Sequence, residues 1–323
     1  MKKIIVITTI FPPTKAVKKF ANSANWQLIV VGDKKTPAEW KYRNVNFISA
    51  ENDSLGISLA KHLPFNSYSR KNIGYINAIK SDAEIIYDTD DDNIPYENWD
   101  DVLFDGQWDT LTNKGFVNIY KYFTKEFIWP RGFPLNKILN EKEQRLIKKN
   151  NKIGVWQFLA DDDSDVDAIY RLTIGKNIKF NKRAPIILDK NTISPINSQN
   201  TFFRKEVFPL LYLPSYVSFR FSDILRGYIL QPILWTKGYR VGFGSPTVYQ
   251  KRNPHNYIND FEAEIPFYLN NENIISELVK VTSTKYSIEE NMIKSYERLI
   301  ELNIVKQREL KLLNLWFKDI NSS

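Results

Sequence analysis

Short apolar runs that alternate with helical patterns are the feature of this sequence that most constrains its fold. Runs rich in β-branched residues predict strands at 3–10, 26–31, 45–48 and 85–87, and apolar spacing predicts helices at 14–24 and 67–79. Strands that are apolar throughout and alternate with helices are typical of a parallel sheet covered on both faces. The chain is therefore predicted to be an α/β protein whose ligand site lies at the carboxyl ends of its strands.

The fourth predicted strand runs into four carboxylates, Asp88, Asp90, Asp91 and Asp92. Like charges this close together cost free energy unless a cation lies among them. Carboxylate oxygens favour a hard divalent cation such as Mg²⁺ or Mn²⁺. The run therefore predicts the metal site of an enzyme that acts on a nucleotide-linked substrate. The alternative is a solvated acidic loop, since Asp is common in turns.

Polar residues also end the two strands that come first in the chain. Thr8 and Thr9 lie at the end of the first predicted strand, and Asp33 follows the second. Because the carboxyl ends of parallel strands meet at one edge of a sheet, we expect these residues and the acidic run to converge on one site. Turn chemistry at Gly32-Asp33 is the alternative for that carboxylate.

The composition excludes several classes of protein and site. The 323 residues are 43% hydrophobic, enough for one large domain or two small ones. A net charge of +8 suits an anionic ligand or a membrane surface, and none of the usual nucleic-acid recognition motifs is present. The sequence has no cysteine, which excludes disulfides, thiolate zinc sites and cysteine nucleophiles. It has two histidines, which excludes a histidine-rich metal site.

The N-terminal sequence MKKIIVITTIF is better explained as a first buried strand than as a signal peptide. Its apolar run is short, and Pro12-Pro13 stands where a small-residue cleavage site would be expected. No run in the sequence approaches the roughly 18 apolar residues of a membrane span. The protein is therefore expected to be cytoplasmic, with association at the cytoplasmic face of a membrane as the alternative.

Nine segments of the sequence together resemble the STELLO-type glycosyltransferases, which are relatives of the reversibly glycosylated polypeptides, the UDP-arabinopyranose mutases. They occur in family order over roughly residues 4–260, and are VITTIFPPTKAV, WQLIVVGDKKTP, YSRKNIGYINAI, IIYDTDDDN, WPRGFPL, DSDVDAIYRLT, INSQNTFF, VSFRFSDILRGYI and TVYQKRNPHN. The resemblance implies a GT-A fold, in which a nucleotide-binding α/β half joins an acceptor half. We assign residues 1–268 to this domain and residues 269–323 to a C-terminal helical extension.

The resemblance implies that the acidic run is the DxD element, which bridges Mn²⁺ or Mg²⁺ to the donor diphosphate. Asp88, Asp90 and Asp92 are the predicted ligands, although either Asp88-Thr89-Asp90 or Asp90-Asp91-Asp92 could be the ligating set. His255 follows the last predicted strand, where such enzymes often supply a final metal ligand. Neutral imidazole is a good ligand for Mn²⁺, but a lone histidine is often structural.

Further donor contacts are implied for residues elsewhere in the matching segments. Arg70 and Asn72 precede the acidic strand on a helix, and a guanidinium fork suits phosphate geometry. The remaining predicted contacts to the donor or acceptor are Thr8, Thr9, Asp33, Asp88, Asn197, Gln199 and Asn200. The alternative for Arg70 is a salt bridge on an exposed helix.

Two residues are candidates for the chemical step. Asp223 lies in an aromatic and apolar stretch and is the predicted general base, with a helix N-cap as the alternative. Arg131 aligns with the arginine that the mutase relatives glycosylate on themselves. The alternative for Arg131 is a loop arginine packed on Trp129 or Phe133. The second acidic run, residues 161–167, is expected to bind sugar hydroxyls.

The resemblance therefore implies a metal-dependent glycosyltransferase that moves a sugar from a nucleoside diphosphate, expected to be UDP, to a glycan or glycolipid hydroxyl. One alternative is a mutase or self-glycosylating protein that uses Arg131. Another is a non-catalytic assembly factor for glycan synthesis. The C-terminal helices lie outside the nine segments and are expected to cover the core. Peripheral membrane contact or a homodimer through residues 309–318 is the alternative, because that segment is amphipathic.

Overall fold

The computed structural model describes residues 1–51, 56–139, 145–252 and 256–322. Its strands are β1 Lys3–Thr9, β2 Gln27–Gly32, β3 Val45–Ile48, β4 Ile85–Thr89, β5 Asn93–Pro95, β6 Asp105–Leu111, β7 Gly115–Phe116, β8 Leu146–Asp162, β9 Ile186–Leu188, β10 Thr192–Ile193, β11 Asn200–Arg204 and β12 Tyr239–Gln250. Its α-helices are α1 Lys15–Phe20, α2 Lys71–Lys80, α3 Ala168–Thr173, α4 Ser222–Thr236, α5 Tyr257–Val281, α6 Ile288–Glu301 and α7 Glu309–Asn321.

A ten-stranded mixed sheet organises the molecule, in the order β3-β2-β1-β4-β11-β8-β6-β9-β12-β5. Strands β3, β2, β1 and β4 are parallel to one another, and β11 runs antiparallel between β4 and β8. This arrangement confirms the predicted α/β class. The carboxyl ends of β1, β2 and β4 lie together at one edge of the sheet, as the alternation of strands and helices predicts.

The sheet separates two apolar cores because successive strand side chains point to opposite faces. On β1, Ile4 and Val6 pack into the larger core, and Ile5 and Ile7 pack into the smaller one. Helices α2 and α4 to α7 contribute side chains to the larger core. Helix α1 covers the other face, where Phe20 packs edge-on against Tyr87 and Trp99. The strands that carry the predicted site are therefore buried on both faces.

The C-terminal helices are part of the larger core. Phe267 on α5, Tyr296 on α6 and Trp316 on α7 are fully buried. The aromatic side chains that suggested membrane contact or dimerisation by α7 thus cover the core of this chain. Helix α5 runs without a break across position 268, and the division into 1–268 and 269–323 stays a prediction.

None of the helices in the described ranges combines the length and the apolar character that crossing a bilayer requires. The expected cytoplasmic location stays a prediction.

Candidate active site

A cavity of about 300 Å³ lies at the carboxyl ends of β1, β2 and β4. The structure brings most of the predicted site residues to its wall. They are Thr8, Thr9, Asp33, Arg70, Asp90, Asp92, Arg131, Gln199 and Asp223. Strand ends supply the first three, the start of α4 supplies Asp223, and the other residues come from connecting segments or from just outside strand and helix ends. The expected convergence of strand-end polar residues is therefore observed.

Three predicted contact residues lie behind the cavity wall. The Asn72 amide donates to the Leu213 carbonyl at 2.8 Å and accepts from the Leu213 N–H at 2.9 Å. Asn200 donates to the Leu159 carbonyl at 2.8 Å, and Asn197 donates to Asp165 at 2.7 Å. These amides hold neighbouring segments in place, so a direct donor contact does not fit their positions. His255 lies outside the described residues.

Asp88 is paired with two buried cations. Lys71 Nζ lies 2.6 Å from Asp88 Oδ1, and Arg226 Nη2 lies 2.8 Å from Asp88 Oδ2. Lys71 and Asp88 are both fully buried. Two opposite charges offset the cost of burying this carboxylate. Asp88 is therefore the internal counter-ion of Lys71 and Arg226, and its position does not suit the predicted metal ligand.

The three following acids line the cavity, and each is fixed through one oxygen. Tyr68 donates its hydroxyl to Asp90 Oδ1 at 2.6 Å, Thr9 donates to Asp91 Oδ2 at 2.5 Å, and Gln250 donates to Asp92 Oδ2 at 2.9 Å. The second oxygen of each carboxylate takes no part in these hydrogen bonds. Of the two predicted ligating sets, the geometry favours Asp90-Asp91-Asp92.

The electrostatics of this triplet favour a cation. Burial raises the pKa of all three acids, to about 6 for Asp91 and to about 7 for Asp92. Asp92 Oδ1 is buried, and within the described part of the chain it has no hydrogen-bond partner. A buried carboxylate oxygen without a partner is costly, and a positive ligand would remove that cost.

The residues present fit a metal held jointly with a substrate. In the four described ranges, no three acidic or histidine side chains form a complete metal-binding cluster. Mg²⁺ at nucleotide sites is usually bound by one or two carboxylates together with substrate phosphates. Asp90, Asp91 and Asp92 could supply the protein share of such a set.

Arg70 is a buried cation without a full set of partners. It is 4% exposed, and its Nη2 donates to the Ala50 carbonyl at 3.2 Å. Its Nε and Nη1 have no hydrogen-bond partner among the described residues, and Asp33 Oδ1 lies 3.8 Å from Nε. Burial lowers the pKa of Arg70, while Asp33 acts in the opposite direction. The alternative of a salt bridge on an exposed helix is wrong, because this guanidinium is buried in the cavity wall.

Arg131 is bound by two carboxylates on the cavity wall. Its Nε and Nη2 donate to Asp165 at 2.8 and 3.0 Å, and its Nη1 and Nη2 donate to Asp223 at 3.0 and 2.7 Å. Nη1 also donates to the Arg220 carbonyl. These contacts use all five N–H groups of the guanidinium. Arg131 therefore does not need the rings of Trp129 or Phe133, which were the alternative partners.

The charges in this cluster stabilise one another. Burial lowers the pKa of Arg131, but Asp165 and Asp223 outweigh burial and raise it well above its usual range. Burial raises the pKa of Asp165, but Arg131 and Arg220 outweigh burial and lower it. Asp223 follows Ser222 inside the first turn of α4, whose N-cap is Phe221. The alternative role of Asp223 as the N-cap is therefore wrong.

Some wall residues were not assigned a site role from the sequence. They are Tyr68, Asp91, Phe219, Gln250 and Arg252. Asp91 carried the same signal as its neighbours, but the DxD spacing favoured the acids on either side. The others are single residues on separate segments, and only their side-chain contacts bring them to the acidic triplet.

Comparison with known proteins connects the chain to one family. The model described as STELLO glycosyltransferases matches residues 220–323. Two proteins of Arabidopsis thaliana, "Probable glycosyltransferase STELLO1" and "Probable glycosyltransferase STELLO2", are 29% and 28% identical over 342 residues. These matches confirm the STELLO-type resemblance. They also correct its extent, because the family match includes the C-terminal helices.

These alignments cover 99% of this chain but 44% of the length of each plant relative, so the chain spans less than half of those proteins. Two solved structures superpose in part. One is described as a crystal structure of a mycobacterial protein, with a TM-score of 0.43 and 8% identity, covering 84% of this chain and 74% of the other. The second is glucosyl-3-phosphoglycerate synthase from Mycobacterium tuberculosis, with a TM-score of 0.41 and 9% identity, covering 84% and 79%.

Proposed function

We propose that this chain, which is similar to the STELLO-type proteins, is a metal-dependent glycosyltransferase. It would move a sugar from a nucleoside diphosphate, with UDP the expected nucleotide, to a hydroxyl of a glycan or glycolipid. The plant relatives are named as probable glycosyltransferases. The family name supports the reaction class, and the cavity supports the kind of donor.

One observation carries the proposal: the same cavity wall holds an under-bonded cation and an under-bonded carboxylate. Arg70 Nε and Nη1, and Asp92 Oδ1, are buried without hydrogen-bond partners among the described residues. Both residues line the cavity. An anion would satisfy the guanidinium, and a cation would satisfy the carboxylate. A nucleoside diphosphate with a divalent cation supplies both charges in one ligand.

The cavity residues divide the work by position. Asp33 is fixed by the N–H groups of Lys34 and Ser67, at 2.7 and 3.1 Å, and with Thr8 it would line the nucleoside. Arg70 would bind the diphosphate as a planar donor. Asp90, Asp91 and Asp92 would hold Mn²⁺ or Mg²⁺, which would offset the charge of the departing nucleoside diphosphate. Gln199 lines the same wall and would contact the donor sugar or the acceptor.

Asp223 remains the proposed general base. Its carboxylate faces the cavity and accepts hydrogen bonds from Arg131 and from the Ser198 N–H at 3.3 Å. These bonds keep the carboxylate oriented. A carboxylate next to the acceptor hydroxyl could take the proton as the new glycosidic bond forms.

Self-glycosylation of Arg131 has less support. A guanidinium nitrogen must lose a proton and expose a lone pair before it can attack a sugar. Both Arg131 Nη atoms are hydrogen-bonded to carboxylates, and the pKa of the group is raised well above its usual range. The mutase alternative therefore requires this cluster to break apart. The assembly-factor alternative does not explain why Arg70 and Asp92 have buried polar atoms without hydrogen-bond partners among the described residues.

The proposal is tested by thermal unfolding with UDP, GDP, CDP and ADP, each with and without Mn²⁺. A ligand at 100 times its Kd stabilises a folded protein by about 2.7 kcal/mol, which corresponds to a Tm increase of several degrees. We expect UDP to raise the Tm only when Mn²⁺ is present. Arg70→Gln should lose most of this increase, and the exposed Arg43→Gln should keep it.

Each other outcome has a defined meaning. If none of the nucleotides changes the Tm of folded protein, the donor site is wrong and the assembly-factor alternative gains weight. An increase that does not need Mn²⁺ would keep the nucleotide site and remove the metal from the proposal.

A further inference from the structure

Phe219 is an exposed aromatic side chain on the wall of the cavity. It is 60% exposed, and its ring meets the ring of Tyr68 edge-on, with centroids 5.7 Å apart. Single exposed apolar residues are ordinary on protein surfaces. This one differs because it lies beside the proposed base, Asp223, in the same cavity.

The backbone on both sides of Phe219 is fixed. The Ser218 hydroxyl donates to the Ala263 carbonyl, and the Ser218 backbone carbonyl accepts from the Phe221 N–H at 3.0 Å. Arg220 Nε donates to Glu264 at 2.8 Å, and the Arg220 carbonyl accepts from Arg131. A ring held by anchored neighbours loses little conformational entropy when it binds a ligand. The exposed face is therefore preorganised.

The groups around Phe219 combine one apolar face with several polar ones. The wall of the same cavity carries Asp165, Asp223 and Arg252. The cavity is also lined by Ile10, Phe11 and Val31, but charged side chains share its wall with Phe219, and an acyl chain cannot satisfy them. A pyranose ring has an apolar C–H face and a rim of hydroxyls, and carboxylates and guanidinium groups readily exchange hydrogen bonds with such hydroxyls. This chemistry matches a sugar better than it matches an acyl chain.

We propose that Phe219 is the platform of an acceptor subsite that takes a pyranose ring of a saccharide. The inference rests on the proposed glycosyltransferase function and narrows its acceptor to a sugar. The ring would cover the C–H face of the acceptor sugar, and the neighbouring polar side chains would bind its hydroxyls. Phe219 is thus a binding residue for the acceptor, next to the group that would remove its proton.

The test uses the full chain, UDP and Mn²⁺, with maltotetraose, xylotetraose and mannotetraose as probes and sorbitol as a polyol without a ring. Saturation-transfer NMR, with irradiation of the aromatic protons, reports ligand C–H groups that lie against the protein, and the Phe219 variants then identify the side chain. We expect at least one tetrasaccharide, but not sorbitol, to give a signal. Phe219→Ala should weaken its binding at least tenfold, and Phe219→Trp should restore it.

Two controls separate this inference from the donor site. Leu103→Ala removes an exposed apolar side chain that does not line the cavity, and it should bind the saccharide as the wild type does. Calorimetric titration with UDP and Mn²⁺ should give Phe219→Ala an affinity within about twofold of the wild type, which shows that the variant is folded.

The inference is overturned if Phe219→Ala, with its UDP affinity intact, binds the saccharides as well as the wild type. It is also overturned if the wild type binds UDP but none of the three saccharides. Both results leave the proposed function standing. If the wild type itself does not bind UDP, the proposed function is overturned, and the acceptor inference with it.

Discussion

Lys71 occupies a position beside the acidic run where the sequence alone predicts a metal ion. Its ammonium group is 2.6 Å from Asp88, 3.1 Å from Asp90 and 2.6 Å from the Thr89 carbonyl. Desolvation disfavours the charged form of a buried lysine, but the two carboxylates outweigh that effect and raise its pKa. At the scale of single residues, the protein thus neutralises part of the run itself and presents the rest to the cavity.

This ion pair predicts a large effect of Lys71→Met on stability. The change leaves Asp88 buried with one positive partner, Arg226, and breaking a buried pair typically costs about 3–5 kcal/mol. Urea denaturation should show a decrease of that size in the free energy of unfolding. Lys80→Met, at the exposed end of the same helix, should change it by no more than about 0.5 kcal/mol. A Lys71→Met variant as stable as the wild type would contradict the assigned role.

At the scale of elements, α2 is the helix that sets the position of the cavity wall. Arg70 immediately precedes it, Lys71 is its first residue, and Gly74 lies where the helix crosses the sheet. A Cβ atom at Gly74 would lie 2.6 Å from Val6 Cγ1 and 2.8 Å from Val31 Cγ2. These distances are too short for carbon atoms, so the glycine allows the helix to approach β1 and β2 closely.

Gly74→Ala is therefore expected to destabilise the protein, although helices usually favour alanine over glycine. Alanine stabilises a helix by about 1 kcal/mol relative to glycine, but overpacking a buried contact costs about 1–3 kcal/mol. We predict a net loss of unfolding free energy in urea, together with weaker binding of UDP and Mn²⁺ because Arg70 moves with the helix. Lys80→Ala, on the exposed surface of α2, provides the matched control. A Gly74→Ala variant that is more stable than the wild type would show that the sheet accommodates the methyl group.

At the scale of the whole molecule, the last helix, α7, holds the segment that leads to Phe219 and α4. Glu309, the first residue of α7, accepts hydrogen bonds from the Tyr212 hydroxyl at 2.5 Å, the Ser215 N–H at 2.8 Å and the Tyr216 N–H at 3.0 Å. Its side chain is fully buried. The segment it holds leads directly into Phe219 and α4, so the last helix is connected to the proposed acceptor subsite.

Glu309→Ala should affect that segment more than it affects the nucleotide site. Each buried donor left without a partner costs about 1–3 kcal/mol, and this change removes the acceptor of three donors. We expect a clear decrease in unfolding free energy and faster amide hydrogen exchange at residues 212–221. UDP affinity in the presence of Mn²⁺ should change little. Glu297→Ala, at an exposed position on α6, is the control, and equal exchange in both variants would refute the anchoring role.

The sequence alone determined the local parts of this molecule. Strands β1 to β4 and helix α2 could be located because β-branched runs and helical spacing are properties of consecutive residues. The rule that parallel strands end at one edge then placed Thr9, Asp33 and Asp90 in one cavity. The resemblance to the STELLO type also followed from segments that can be matched one at a time.

Only the tertiary structure decided which charges are paired and which remain for a ligand. Asp88 and Arg226 are 138 residues apart, and Arg131 reaches Asp223 across 92 residues. Neither pairing leaves a local pattern, because any of several cations could neutralise a given carboxylate until the chain is folded. Burial decides the matter, since an ion pair closes only where packing excludes water. For that reason the sequence could name four acids, and the fold had to separate the counter-ion Asp88 from the three that face the cavity.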